Sequence, residues 1–438
     1  MFVSSHVGPV SPPPSRSRRL LPLLAVLALA WGFALPAAAS ASETVPGEVV
    51  VGHAAGFHVV RTANVAATIR RLRATKGVRY AVPNVRARAA EAIVPNDPGK
   101  SGQPAGWQET QWNFVGPASV NAPDAWGNLM AVGRPGGKGV KVAVLDTGVA
   151  YRQFGKTPRS PDLVGTHFVA GYDFVGKDAY ANDRNGHGTH VASTIAEATN
   201  NGVALTGLAY GATIMPVKVL DDQGEGDASD IAKGVRFAAS KGAQVINLSL
   251  EFSSDVTARE IPQLLDAIDY AHRKGSVVVA ASGNEAGARV AYPARGTYVL
   301  SVGSTTEHGC LSDFSNQGSG LDIVAPGGGP DAYLTDPGCT PDGPSGRNIF
   351  QLTLTGPHRD VFGIPGVYQG TSMAVPHVSA AAALVIASGV LGPTPTPAAI
   401  ERRLKMTARD LGPPGPDTRY GAGLLDAAAA TNPAVPVS

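Results

Sequence analysis

The chain has 438 residues, 43 % of them hydrophobic and 16 % charged, with 53 glycines and a net charge of +2. That length accommodates one large domain with smaller pieces, and the composition suits a tightly packed globular protein rather than a disordered one. The charge is uneven: +3 over residues 1–42, +5 over 43–95 and −6 over 96–438. An acidic main body argues against nucleic acid as its partner, and a basic leader beside it points to association between the two.

The N-terminus carries basic "RSRR", apolar "LLPLLAVLALAWGFAL" and small "AAASAS", the three parts of an export signal. Gly32, Pro36 and the Ala-rich exit favour cleavage near Ala39–Ala41 over a permanent anchor, so residues 1–41 are read as a signal peptide. "SRRLL" is similar to a twin-arginine signal, which leaves the export route open between that and general secretion. No later apolar run is read as approaching the roughly 18 residues that span a bilayer, and no stable membrane anchor is expected. Export makes a disulfide between the only two cysteines, Cys310 and Cys339, the expected state, and their spacing is not that of a metal site.

Residues 43–92 read as a small unit: "GEVVVG" a strand, "VAATIRRLRAT" an amphipathic helix, "GVRYAVPN" a second strand. From Gly139 on, the runs "VKVAVLD", "TIMPVKVLD", "AQVINLSL", "GSVVVAASGN", "TYVLSVGS" and "LDIVAPG" lack polar alternation, as strands buried on both faces do. Helical periodicity separates them in "HVASTIAEAT", "ASDIAKGVRFAASKG" and "IPQLLDAIDYAHRKG". The pattern predicts an α/β domain with a mostly parallel, doubly wound sheet flanked by helices, and functional loops at the C-terminal ends of its strands. Residues 327–366, rich in Gly, Pro and Asp, read as an ordered insertion. "AAIERRLKMTA" is the last long helix.

Four stretches carry candidate chemistry. Asp146 ends a buried strand in "VAVLDTGV", where it is a functional carboxylate, a helix cap or a metal ligand. His187 lies between Gly186 and Gly188 in "NGHGTHVAS". The HxxH spacing with His190 hints at zinc, but Glu197 stands at the wrong offset, and His190 reads as a hydrogen-bonded core histidine. Asn284 ends a strand in "VVVAASGNEAG". Ser372 in "GTSMAVPHV" heads an apolar run, with Pro376 expected in the first helical turn and Ser372 at the helix N-terminus, either as a cap or as a nucleophile. Together they fill every role of nucleophilic acyl transfer: Ser372 attacks, His187 takes its proton, Asp146 orients the imidazole, and Asn284 with the Ser372 N–H donates to the oxyanion.

"VLDTGV", "HGTHVA", "SGNEAG" and "GTSMAVPHV" closely resemble the four active-site motifs of the subtilisin-like serine proteases. "INLSL", "MPVKVLD", "FSNQGSGLDIVAPG" and "YGAGLLDAAAA" follow in the family's order. The resemblance covers about 93–430. It implies a secreted, extracellular serine endopeptidase acting on polypeptides through an acyl-enzyme, a monomer, with the periplasm or the cell surface as alternative locations. It needs no catalytic metal or organic cofactor. Residues 42–92 then resemble an α+β propeptide that assists folding and inhibits the 93–438 catalytic domain, with self-cleavage near Ala89–Ile93.

The resemblance also implies that substrate adds as an extended strand between 247–251 and 223–226, with Gly224 and Gly226 in the second edge. Ser249, Leu250, Ala281, Ser282, Gly283 and Ala291 would form an apolar primary pocket. Glu251 and Glu285 at its rim would accept Lys or Arg as a secondary class. Asp97, Asp162 and Asn201 match the family's structural calcium site. The chain departs from the family at Ser193, Ala204, Glu251 and Val375. A catalytically dead binding module is disfavoured because all four active-site residues are present. An ester or lipid hydrolase would need a G-x-S-x-G elbow and another chain order, and an acid-active Ser–Glu–Asp enzyme would not carry His187.

Overall fold

The computed structural model describes residues 44–85, 94–155, 157–332, 335–341 and 346–436. The proposed signal peptide and the proposed cleavage segment Ala89–Ile93 lie outside these residues. The chain divides into two compact units, 1–89 and 90–438.

In the first unit, β1 (Thr44–His53), β2 (Gly56–Arg61) and β3 (Tyr80–Val85) form an antiparallel sheet in the order β2-β1-β3. Helix α1 (Val65–Arg73) is capped by Asn64, whose side chain accepts from Ala67 N. Val49, Val51 and Ala81 form a small core against Val65, Ile69 and Leu72. Strand β2 was not expected from the sequence. Its "GFHVVR" is exposed along most of its length and shows no clear period, so only pairing with β1 defines it.

The second unit begins with α2 (Trp107–Thr110) and α3 (Ala122–Ala131), followed by β4 (Lys141–Asp146), β5 (His167–Phe168), β6 (Tyr172–Asp173), α4 (His187–Ala196) and β7 (Thr213–Lys218). It continues through α5 (Ala228–Ser240), β8 (Val245–Leu248), α6 (Pro262–Arg273), β9 (Val277–Ala281), β10 (Val299–Thr305) and β11 (Ile323–Pro326). A hairpin of β12 (Thr353–Thr355) and β13 (Val361–Gly363) precedes α7 (Thr371–Ser388), α8 (Pro397–Met406) and α9 (Ala427–Thr431). The main sheet runs β11-β10-β9-β8-β4-β7-β5 with β6 also on β7, and every pairing in it is parallel. The expected α/β architecture is therefore present.

After β4 the chain builds β7 on one side and then crosses to build β8 on the other. This reversal opens a crevice at the C-terminal end of β4, where open parallel sheets bind ligands. Helices α5 and α6 pack together on the sheet, while α7 packs against β8, β9, β10 and β11 and against α4, which itself lies on β4 and β7.

Helix α7 corrects two expectations. Pro376 lies well inside the helix rather than in its first turn, so the Ser372 carbonyl lacks its intrahelical partner. The helix persists because Met373 to Val385 are all buried, and packing outweighs one absent hydrogen bond. Its 18 residues are also long and apolar enough to cross a membrane, contrary to the expectation that no run after the N-terminus approaches that length. Here the apolar surface covers the sheet, and 78 % of the helix is buried inside the protein. The 327–366 insertion contains the β12–β13 hairpin, and the Cys310–Cys339 disulfide ties Cys339 within it back to the loop after β10.

Candidate active site

Asp146 is the last residue of β4, fully buried at the crevice. Its Oδ1 accepts from Thr147 N at 2.7 Å and from His187 Nδ1 at 2.8 Å. His187 opens α4, with its side chain 24 % exposed, so the ring reaches solvent on the side away from Asp146. With Nδ1 donating to Asp146, Nε2 is the free acceptor of the neutral ring. Burial works against the imidazolium, but the charge and hydrogen bond of Asp146, with Asp183 behind them, outweigh it and raise the pKa above the ordinary 6.5.

Asp183 escaped the sequence reading. It is fully buried, and it accepts from Thr147 Oγ1 (2.9 Å), Asn185 N (2.8 Å), Gly186 N (3.0 Å), Thr189 N (3.0 Å) and Thr189 Oγ1 (2.6 Å). It satisfies the N–H groups at the start of α4 and ties the turn carrying His187 to the residue after Asp146. An acidic residue four positions before a helix start was the available signal.

His190 is a core histidine, as read. Its Nε2 donates to Ile349 O at 3.1 Å, its ring stacks on Tyr368, and burial lowers its pKa to about 3, so it stays neutral. His377, also buried, is lowered to about 4.

Ser372 is the second residue of α7, half-buried, and its Oγ donates to Ser249 O at 3.2 Å. Ser372 and His187 line one cleft of about 540 Å³ together with Ser249, Leu250, Glu251, Gly224 and Gly226. Four further predicted pocket residues, Ala281, Ser282, Gly283 and Ala291, are buried and do not line this cleft. Ser282 instead donates from Oγ to Asn316 O (3.0 Å) and accepts from Ala291 N (2.7 Å).

Asn284 follows β9 and Gly283. Gly283 has φ +118°, and a Cβ there would lie 2.1 Å from Asn316 Nδ2, so only glycine fits. Asn316 Oδ1 accepts from Glu285 N (3.0 Å) and Gly287 N (2.8 Å), holding the loop that carries Asn284. Asn284 Oδ1 accepts from Thr371 N at 2.8 Å and Thr371 Oγ1 at 3.1 Å, which locks the amide to the start of α7. Its Nδ2 donates to Glu251 Oε1 at 3.2 Å. Burial, with Glu285 nearby, raises the Glu251 pKa against the lowering effect of that hydrogen bond. Glu285 itself is exposed and accepts weakly from Ser254 N.

Asp97, Asp162 and Asn201 also come together, away from the cleft. Asp97 accepts from the N–H groups of Asn200, Asn201 and Gly202, and Asp162 from Leu205 N and from Asn201 Nδ2 at 2.8 Å. Ala204 holds φ +33°, a left-handed conformation costly for alanine. Glu197, fully buried beside them, has among the described residues no hydrogen-bond partner of good geometry for either carboxylate oxygen. Burial and the charge of Asp97 push Asp162 up to about 7, and burial with the charge of Asp162 raises Glu197. Such carboxylates suit a hard cation that neutralises them. Among the described residues, however, no three His, Cys, Asp or Glu side chains form a ready cage, and Asn201 turns its nitrogen, not its oxygen, toward Asp162. Backbone carbonyls and a turned Asn201 amide would have to complete an ion's shell.

Of the other departures, Ser193 donates to Leu352 O at 3.4 Å behind α4, and Val375 is buried in α7.

A parallel α/β sheet with these motifs at its crevice defines a class that known proteins confirm. Residues 137–423 match the Subtilase family. The thermophilic serine proteinase of Bacillus sp. (strain AK1) is 37 % identical over 76 % of this chain and 69 % of its own length. Subtilisin Savinase of Lederbergia lenta is 39 % identical over 67 % of this chain and 91 % of its own. Among solved structures, proteases from Pseudoalteromonas arctica PAMC 21717 superpose with a TM-score of 0.61 at 32 % identity, covering 77 % of this chain and 99 % of theirs. The chain belongs to the subtilase family: it is a hydrolase of the serine endopeptidase class, acting on polypeptides.

Proposed function

We propose that the protein is exported as a precursor, removes its own leader and cleaves polypeptides outside the cytoplasm with Ser372 as nucleophile. The observation that carries this reading is the 2.8 Å contact of His187 Nδ1 with Asp146, at a cleft that Ser372 shares. Rotation about χ1 of Ser372 turns Oγ from Ser249 O toward His187 Nε2. His187 then takes the proton as Oγ attacks the scissile carbonyl, and Asp146 stabilises the imidazolium. The imidazolium returns the proton to the leaving amine, and water hydrolyses the acyl-enzyme by the same route. Ser372 N–H, at the positive end of α7, and Asn284 Nδ2 donate to the oxyanion.

Ser249–Glu251 and Gly224–Gly226 offer backbone to an extended substrate. Residues 42–92 act as the inhibiting propeptide, an assignment supported by the opposite charges of the leader (+5 over 43–95) and the body (−6 over 96–438). Calcium would be held by Asp97, Asp162 and Asn201, where it neutralises buried carboxylate charge and stiffens the loop. It takes no part in the reaction.

The test is Ser372→Ala. Peptide hydrolysis should vanish and the purified precursor should remain uncleaved, because one nucleophile serves both reactions. Normal maturation of this variant in isolation would remove self-processing from the scheme.

A further inference from the structure

We propose that Glu251 makes Asn284 a charge-dependent oxyanion donor, so that a basic substrate side chain beside the scissile bond accelerates the chemical step and not only binding. This rests on the active-site reading above. The orientation of the Asn284 amide is unambiguous. Thr371 N is a donor only, so the group facing it at 2.8 Å is Oδ1, and Nδ2 necessarily faces Glu251 Oε1 at 3.2 Å. Glu251 Oε2 in turn lies 3.1 Å from where a Cβ on Gly283 would be, so the carboxylate sits over the end of β9 that presents the donor. It lines the same cleft as Ser372 and His187. Among the described residues it has no Lys or Arg partner within ion-pair distance, and the other charge acting on it is Glu285, of the same sign.

Two consequences follow for the transition state. The carboxylate engages one of the two N–H groups of the amide on which the oxyanion depends. It also places an unneutralised negative charge next to the negative charge that develops during attack, at an exposed cleft wall where solvent screens the repulsion without removing it. A lysine or arginine side chain in the cleft reaches Glu251 with its apolar stem along the wall and its cationic head on the carboxylate. That neutralises the repulsion and draws Glu251 off Asn284. A neutral side chain leaves both penalties in place.

The experiment uses the matured full-length enzyme and two peptides identical except for lysine or norleucine before the scissile bond, with kcat and KM measured separately. The wild type should turn over the lysine peptide with a kcat about tenfold higher. In Glu251→Gln, which keeps the acceptor and removes the charge, the two kcat values should converge, with norleucine rising and lysine falling. In an Asn284→Ala background the same glutamine substitution should change the kcat ratio less, because the part of the coupling that runs through that amide is gone and only the direct repulsion remains. A lysine preference confined to KM, a norleucine kcat that does not rise in Glu251→Gln, or an equal effect in the Asn284→Ala background would each overturn the proposal. The wild-type comparison needs no variant, so a poorly folding substitution would not shield the idea. Failure of the underlying reading would look different: neither peptide would be cleaved in a Ser372-dependent way.

Discussion

His187 Nδ1 donates to Asp146 Oδ1 at 2.8 Å, and Asp183 adds negative charge behind this pair without bonding to the ring. Protonated His187 cannot take the serine proton, so kcat/KM should rise with pH through an inflection above 6.5, the direction in which these carboxylates move the ring. Asp146→Asn should lower the inflection, since the largest raising influence is gone, and reduce turnover by about 10⁴-fold. A pH–rate profile of both proteins checks this, and a parent inflection at or below 6.5 would contradict it.

Asn284→Ala should lower kcat by roughly 10²–10³ with little change in KM, because its bond to the oxyanion forms mainly in the transition state. That magnitude is the one known for subtilisin and is carried over to this relative. Steady-state kinetics on a single peptide decide the matter: a variant that loses affinity while keeping turnover would show that Asn284 serves binding instead.

Asp183→Ala should leave the donors of Thr147, Gly186 and Thr189 facing a void in a fully buried site. The expected cost is at least about 2 kcal/mol of stability. A purely structural loss would stop there. Removal of a charge that raises His187 should in addition lower the inflection of the pH–rate profile, and Asp183→Asn should recover part of the stability but not the inflection. Thermal melts and pH profiles of the two variants separate these effects.

Calcium should raise the melting temperature, with stabilisation growing as the logarithm of free ion above the dissociation constant, about 2.7 kcal/mol at a hundredfold excess. Brief assays in chelator should retain activity, because Asp97, Asp162 and Asn201 do not line the cleft. Asp162→Asn should abolish the calcium dependence. Melting curves that coincide in chelator and in millimolar calcium would mean that these carboxylates are neutralised by protons instead.

The sequence by itself determined the alternation of buried strands and helices in the main unit, because parallel strands covered on both faces leave unbroken runs such as "VKVAVLD" and "SVVVAAS". It likewise placed Asp146 at a strand end and Ser372 at a helix start, since turn and helix-start chemistry is local. What depends on contacts between distant segments was decided only by the tertiary structure. Strand β2 exists because β1 pairs with it. Pro376 is tolerated deep in α7 because the surrounding core holds the helix. Helix α7 spends an apolar surface long enough for a membrane on the sheet instead. Asp183 bonds both to the residue after Asp146 and to the first turn of α4, a link its own neighbourhood does not announce. From sequence alone Glu251 reads only as a charge at the pocket rim. Folding sets it against Asn284, 33 positions away, and so couples the cleft wall to the amide proposed to receive the oxyanion. Local preferences depend on neighbours within a turn or a strand, but hydrogen bonds between strand ends depend on the order in which the sheet is assembled, and that order is a property of the whole chain.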